Sequence, residues 1–76
     1  MKGRKPLSNA ELIDTVVSVR GVGIKTTAEK MYLVPASVTY RIKRAEHRFG
    51  VKFFSDYGYN RMTYLGREKL NELTRS

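Results

Sequence analysis

Past Ser8 the apolar residues of this chain recur at helical spacing, and beyond Gly50 the spacing shortens to alternation. Leu12, Ile13, Val16 and Val17 form the first stripe, just after Ser8-Asn9-Ala10-Glu11. That tetrapeptide has the form of a capping box, in which the Ser8 hydroxyl accepts from the Glu11 N–H and the Glu11 carboxylate reaches back to the Ser8 N–H. Leu7 and Leu12 flank it as a hydrophobic staple. The pattern predicts a helix over about 8–20, stopped by Gly21 and Gly23. Val16, Val17 and Val19 are β-branched, so packing rather than intrinsic propensity must hold it. A second, short helix is expected over about 24–32, with Ile24, Ala28 and Met31 on one side.

Leu33-Val34 reads as a turn, and Pro35 suits the first position of a third helix over about 35–49. Val34 is a poor N-cap. Val38, Ile42, Ala45 and Phe49 share one face of this helix. Ser37, Tyr40, Arg41, Arg44 and Arg48 fall on the other. After Gly50, Val51, Phe53 and Ser55 alternate with Lys52 and Phe54 as in a strand. Tyr57-Gly58-Tyr59-Asn60 supplies turn residues and Arg61-Met62 a short return strand. Thr63 can cap a last helix over about 64–74, with Leu65, Leu70 and Leu73 inward. The expected fold is mainly α with a small β-hairpin: a winged helix-turn-helix of three-helix core, wing and C-terminal helix. Residues 1–7 are expected as a basic, flexible N-terminal arm and residues 8–76 as one domain.

Seventy-six residues can build a core worth about 3–5 kcal/mol and leave little room for a deep catalytic cleft. The chain has no cysteine, and His47 is its single histidine, which argues against disulfides and a bound metal. No apolar run approaches the roughly 18 residues of a membrane span, and a cytoplasmic protein is expected. The net charge of +8 points to a polyanion partner. Arg41, Lys43, Arg44, Arg48 and Lys52 crowd the segment 35–52 against the lone acid Glu46, while Lys2, Arg4 and Lys5 open the chain. No paired carboxylates, nucleophile–base set or phosphate-binding glycine loop is present, so an enzyme is not expected and no cofactor is implied.

Four blocks, in order, carry a resemblance to a known family. They are Ala28-Glu29-Lys30-Met31, Ser37 to Glu46 (SVTYRIKRAE), Phe49-Gly50-Val51-Lys52-Phe53-Phe54, and Met62-Thr63-Tyr64-Leu65-Gly66. Residues 12–70 thereby resemble the N-terminal DNA-binding domain of LysR-type transcriptional regulators. The resemblance implies a winged helix-turn-helix whose recognition helix is the 35–49 segment. Four residues depart from the family pattern. Val34-Pro35 stands in place of Ser-Gln, Tyr40 in place of a common arginine, and Asp56 in place of another. The same bases therefore cannot be read in the same way. The chain lacks the long dimerisation helix and effector domain of the family, so no small-molecule effector is expected.

On this basis Ala36, Ser37, Thr39, Tyr40 and Arg41 are expected nearest the base edges, with Arg41 suited to guanine. Thr26, Thr27, Lys43, Arg44 and Arg48 are expected on the DNA backbone. Tyr59, Asn60 and Arg61 of the wing can reach a minor groove or flanking phosphates, and Lys2, Arg4 and Lys5 of the arm add contacts. Tyr40 serves equally as a packing residue over a helix end, and Tyr57 and Tyr59 as packing residues of the hairpin. Phe49, Phe53 and Phe54 belong to the core, and Glu46 to a structural ion pair. The favoured function is a sequence-specific regulator of transcription on double-stranded DNA, with weak homodimerisation or tandem binding. A protein-interaction adaptor, for example on a polymerase, is the alternative. RNA is a weaker one, because a recognition helix does not fit its deep, narrow major groove.

Overall fold

The computed structural model describes residues 7–55, 58–59 and 61–75. It contains three helices: α1 (Asn9–Met31), α2 (Pro35–Phe49) and α3 (Tyr64–Thr74). The capping box at the start of α1 is formed, with Ser8 N donating to Glu11 Oε1 at 2.8 Å and Glu11 N to Ser8 Oγ at 3.1 Å.

α1 is interrupted at Gly23, whose φ of 90° and ψ of 174° lie where only glycine is at ease. The interruption folds the helix back on itself. In a straight helix residues 18 and 27 would lie ~13 Å apart and residues 15 and 31 ~24 Å apart. Instead the Ser18 and Thr27 hydroxyls are 2.7 Å apart, and Thr15 Oγ1 lies 3.9 Å from Met31 Sδ. Both pairs straddle Gly23 almost symmetrically. The two segments expected at 8–20 and 24–32 are therefore two arms of one element, separated by a single non-helical glycine.

The second arm ends in a tight turn. Tyr32 adopts the left-handed conformation at φ 59°, and the Leu33 N–H donates to the Ala28 carbonyl at 2.8 Å. Tyrosine in that conformation costs ~1–2 kcal/mol that glycine would not. α2 then starts at Pro35 with Val34 as a cap that makes no side-chain hydrogen bond, forgoing ~1 kcal/mol.

The core comprises Leu12, Val16, Val19 and Ala28 of α1, Val38, Ile42 and Ala45 of α2, Phe53 and Phe54 from the following segment, and Leu70 of α3. Phe49 packs at its margin, edge-on to Phe53 with ring centroids 6.3 Å apart.

The expected wing is overturned. Among the described residues there is no strand and no sheet, only one antiparallel bridge between Phe54 and Met62. Two backbone bonds frame it, Ser55 N to Arg61 O at 2.9 Å and Thr63 N to Phe53 O at 3.0 Å. Alternation fails because Phe53 and Phe54, neighbours in sequence, are both buried. On the Lys52 side of the bridge, the Phe53 N–H is taken by Glu46 Oε2 at 3.0 Å and the Lys52 carbonyl by the Thr63 hydroxyl, so the ladder does not continue in that direction. Winged helix-turn-helix is thus not the architecture here; a bridged loop stands where the hairpin was expected.

That loop seats α3. Thr63 Oγ1 accepts from Gly66 N at 2.8 Å while donating to Lys52, and so caps α3 and ties it to the loop. A Cβ at Gly66 would lie 2.6 Å from Phe53 Cα and 2.8 Å from Phe53 O. Gly66→Ala should therefore destabilise the fold by about 1–3 kcal/mol. Gly21→Ala, with nothing within 4 Å of the added carbon, should stabilise it by about 0.5–1 kcal/mol. Urea midpoints at unchanged slope measure both, and equal effects would refute the close approach at Gly66.

Candidate nucleic-acid interface

With Val38, Ile42 and Ala45 turned into the core, helical geometry puts Ala36, Tyr40, Lys43, Arg44 and His47 along the outward ridge of α2, and all five are exposed. Ser37 and Arg41 flank this ridge and are half-buried. Thr39 lies on the opposite flank, half-buried, and its hydroxyl donates to the Pro35 carbonyl at 3.2 Å. The five expected base-reading residues thus share the first half of α2, but two of them, Ala36 and Tyr40, point straight out. Tyr40 is 58 % exposed.

The cationic groups divide by what they already hold. Among the described residues, Arg41, Lys43 and Arg44 have no hydrogen-bond or ion-pair partner. Arg48 is different: its Nη1 donates to the Leu7 carbonyl at 2.6 Å and to Asn9 Oδ1 at 3.1 Å. It joins the end of α2 to the start of α1 and acts as a latch. Glu46, the one acid on α2, is half-buried and bonded to the Phe53 N–H. Its role is structural, but through a main-chain N–H in place of the expected ion pair. Its carboxylate is turned to the loop, away from the outward ridge.

Other expected contacts are placed less favourably. Thr27 is fully buried and its hydroxyl is shared with Ser18, so its side chain is not open to a phosphate; Thr26 beside it is exposed. Tyr59 is half-buried and stacks edge-on against Phe54 at 5.6 Å, the packing role. Arg61 is exposed. Asn60, Tyr57, Lys2, Arg4 and Lys5 lie outside the described residues. His47, weighed above only as a metal ligand, is an exposed member of the ridge. Its spacing of three and four residues from Arg44 and Lys43 was the signal that marks it.

A second surface lies on α3. Leu65 is 65 % exposed and, with Val51, Glu68, Lys69 and Glu72, lines a shallow groove of about 310 Å³. Lys69 Nζ and Glu72 Oε1 pair at 3.1 Å along α3.

Among the described residues no helix is long and apolar enough to cross a membrane. Comparison with family profiles, with curated proteins and with solved structures gives no match for this chain.

The latch separates two arginines that sequence spacing alone makes equivalent. Arg48→Ala should lower stability by about 1 kcal/mol, reflecting exposed bonds from a charged donor. Arg44→Ala should leave it within about 0.5 kcal/mol. Equal urea midpoints for the two variants would show that the latch carries no load.

Proposed function

We propose that this chain is a sequence-specific binder of double-stranded DNA that regulates transcription, presenting the first half of α2 to the major groove. The observation that carries the proposal is the outward ridge of α2. Lys43 and Arg44 on that ridge and half-buried Arg41 on its flank are held by a buried apolar edge and left without internal partners, while the helix's one acid is engaged by the Phe53 N–H. A helix of 15 residues is about 22 Å long and fits a groove ~12 Å wide. Arg41, on the flank of the leading half, is suited to the O6 and N7 acceptors of guanine. Lys43 and Arg44, a turn further on, suit phosphates, as does exposed Thr26. Arg61 adds a flanking contact from the loop without any hairpin. Arg48 is assigned to the latch, so fewer phosphates are neutralised than the bare charge count implies.

A protein partner is the second reading, favoured by exposed Leu65 and the groove on α3. That face suits either an adaptor contact or a weak homodimer that places two α2 helices on adjacent half-sites.

Titration of a random duplex with salt tests the first reading: log K should fall against log salt with a slope of roughly −3 to −5. Arg44→Ala should weaken binding to all sequences alike and reduce the slope by about 1, whereas Arg41→Ala should relax preference at one base pair. Absence of duplex binding at low salt would remove DNA as the partner and leave the α3 face as the site to pursue.

A further inference from the structure

The turn between the two helices is built against its own stability. Tyr32 holds a left-handed conformation that glycine or asparagine fills at less cost, and its side chain is 95 % exposed. Val34, two residues on, occupies the N-cap of α2, where serine, threonine or aspartate would bond the first turn of the helix. It makes no such bond, is 62 % exposed, and does not pack against the core. Only Leu33 between them turns inward. Two residues that break local rules on one exposed turn are the pattern expected where a surface serves function.

The chemistry of that contact follows from the side chain. Valine has no donor or acceptor, so it can distinguish base pairs only by apolar contact. The major-groove edge of a base pair carries one methyl group, the C5-methyl of thymine; its other distinguishing groups are polar. Val34 sits at the leading tip of α2, the end that the proposed DNA reading directs toward base edges. The first turn of α2 carries no acid, and Arg41 and Arg44 follow without partners, so the setting of this apolar tip favours a polyanion. We propose that Val34 reads a thymine, its isopropyl group seated on the C5-methyl. This assignment rests on the DNA reading above and names one base within it.

The test replaces thymine with deoxyuracil, which removes the methyl and leaves every hydrogen-bonding group in place. The probe is the tightest duplex that the full chain selects from a random pool, remade with each thymine exchanged in turn. One exchange per half-site should weaken binding about fourfold, the effect of one lost methyl contact. Val34→Ser should raise the melting temperature by roughly 4–8 °C, by restoring a cap, yet bind the thymine and uracil duplexes equally. Val34→Ala, which shortens the side chain and adds no polar group, should show the same equality. If the unaltered chain binds its selected duplex and no uracil exchange matters, or if Val34→Ser still discriminates, the thymine assignment is wrong and DNA binding stands. If no duplex can be selected at all, the DNA reading fails and this assignment with it.

Discussion

With φ 90° and ψ 174°, Gly23 allows the two arms of α1 to lie against each other, and the seat for α2 exists only because they do. The first arm contributes Leu12, Val16 and Val19 to the core, and the second contributes Ala28. Val38, Ile42 and Ala45 of α2 close over them. A continuous helix would carry these two sets more than a turn apart and offer α2 half the surface. Any side chain at position 23 strains the reversal irrespective of the room around it, since the obstacle lies in the backbone angles and not in a neighbour. The hydroxyl pair Ser18–Thr27 fixes how closely the arms approach and satisfies polar groups that would otherwise be costly to bury.

The same packing decides the electrostatics. A helix anchored along one edge must expose the other, and in α2 the exposed edge carries Lys43, Arg44 and His47 and no acid. Two charged groups that would complicate this face are drawn to its structural side. Glu46 accepts from the loop and Arg48 donates to the start of α1. Mutual repulsion among the remaining cations costs little in water and is relieved by a bound polyanion, whose phosphates displace condensed counterions. Charge that weakens the isolated fold slightly is therefore charge available for binding.

Much of the helical framework was legible in residue order. The capping box, the glycine break, Pro35 at the head of α2 and the apolar edge 38–42–45 are local signals with local physical causes. The hairpin was not legible, because alternation at 51–55 counts only side-chain polarity. It cannot reveal that Glu46, a turn back along α2, captures the Phe53 N–H that a strand partner needs. Nor does spacing distinguish Arg44 from Arg48, which lie on one flank; only the position of Leu7 and Asn9 in space does so. Thr26 and Thr27 show the same limit. Adjacent and chemically identical, they face solvent and core respectively, a choice made by the fold-back at Gly23.

α3 meets the rest of the molecule through Leu70 in the core and through contacts to main-chain atoms: Gly66 lies over the Cα and carbonyl of Phe53, and the Thr63 hydroxyl grips the carbonyl of Lys52. Those main-chain contacts do not involve the side chains at 52 and 53, although the Phe53 ring itself fills the core. Drift in those two side chains can soften or stiffen the interior beneath α3 without re-aiming it. The outer surface of that helix, exposed Tyr64 and Leu65 included, is thereby free to vary in sequence while the scaffold keeps its shape.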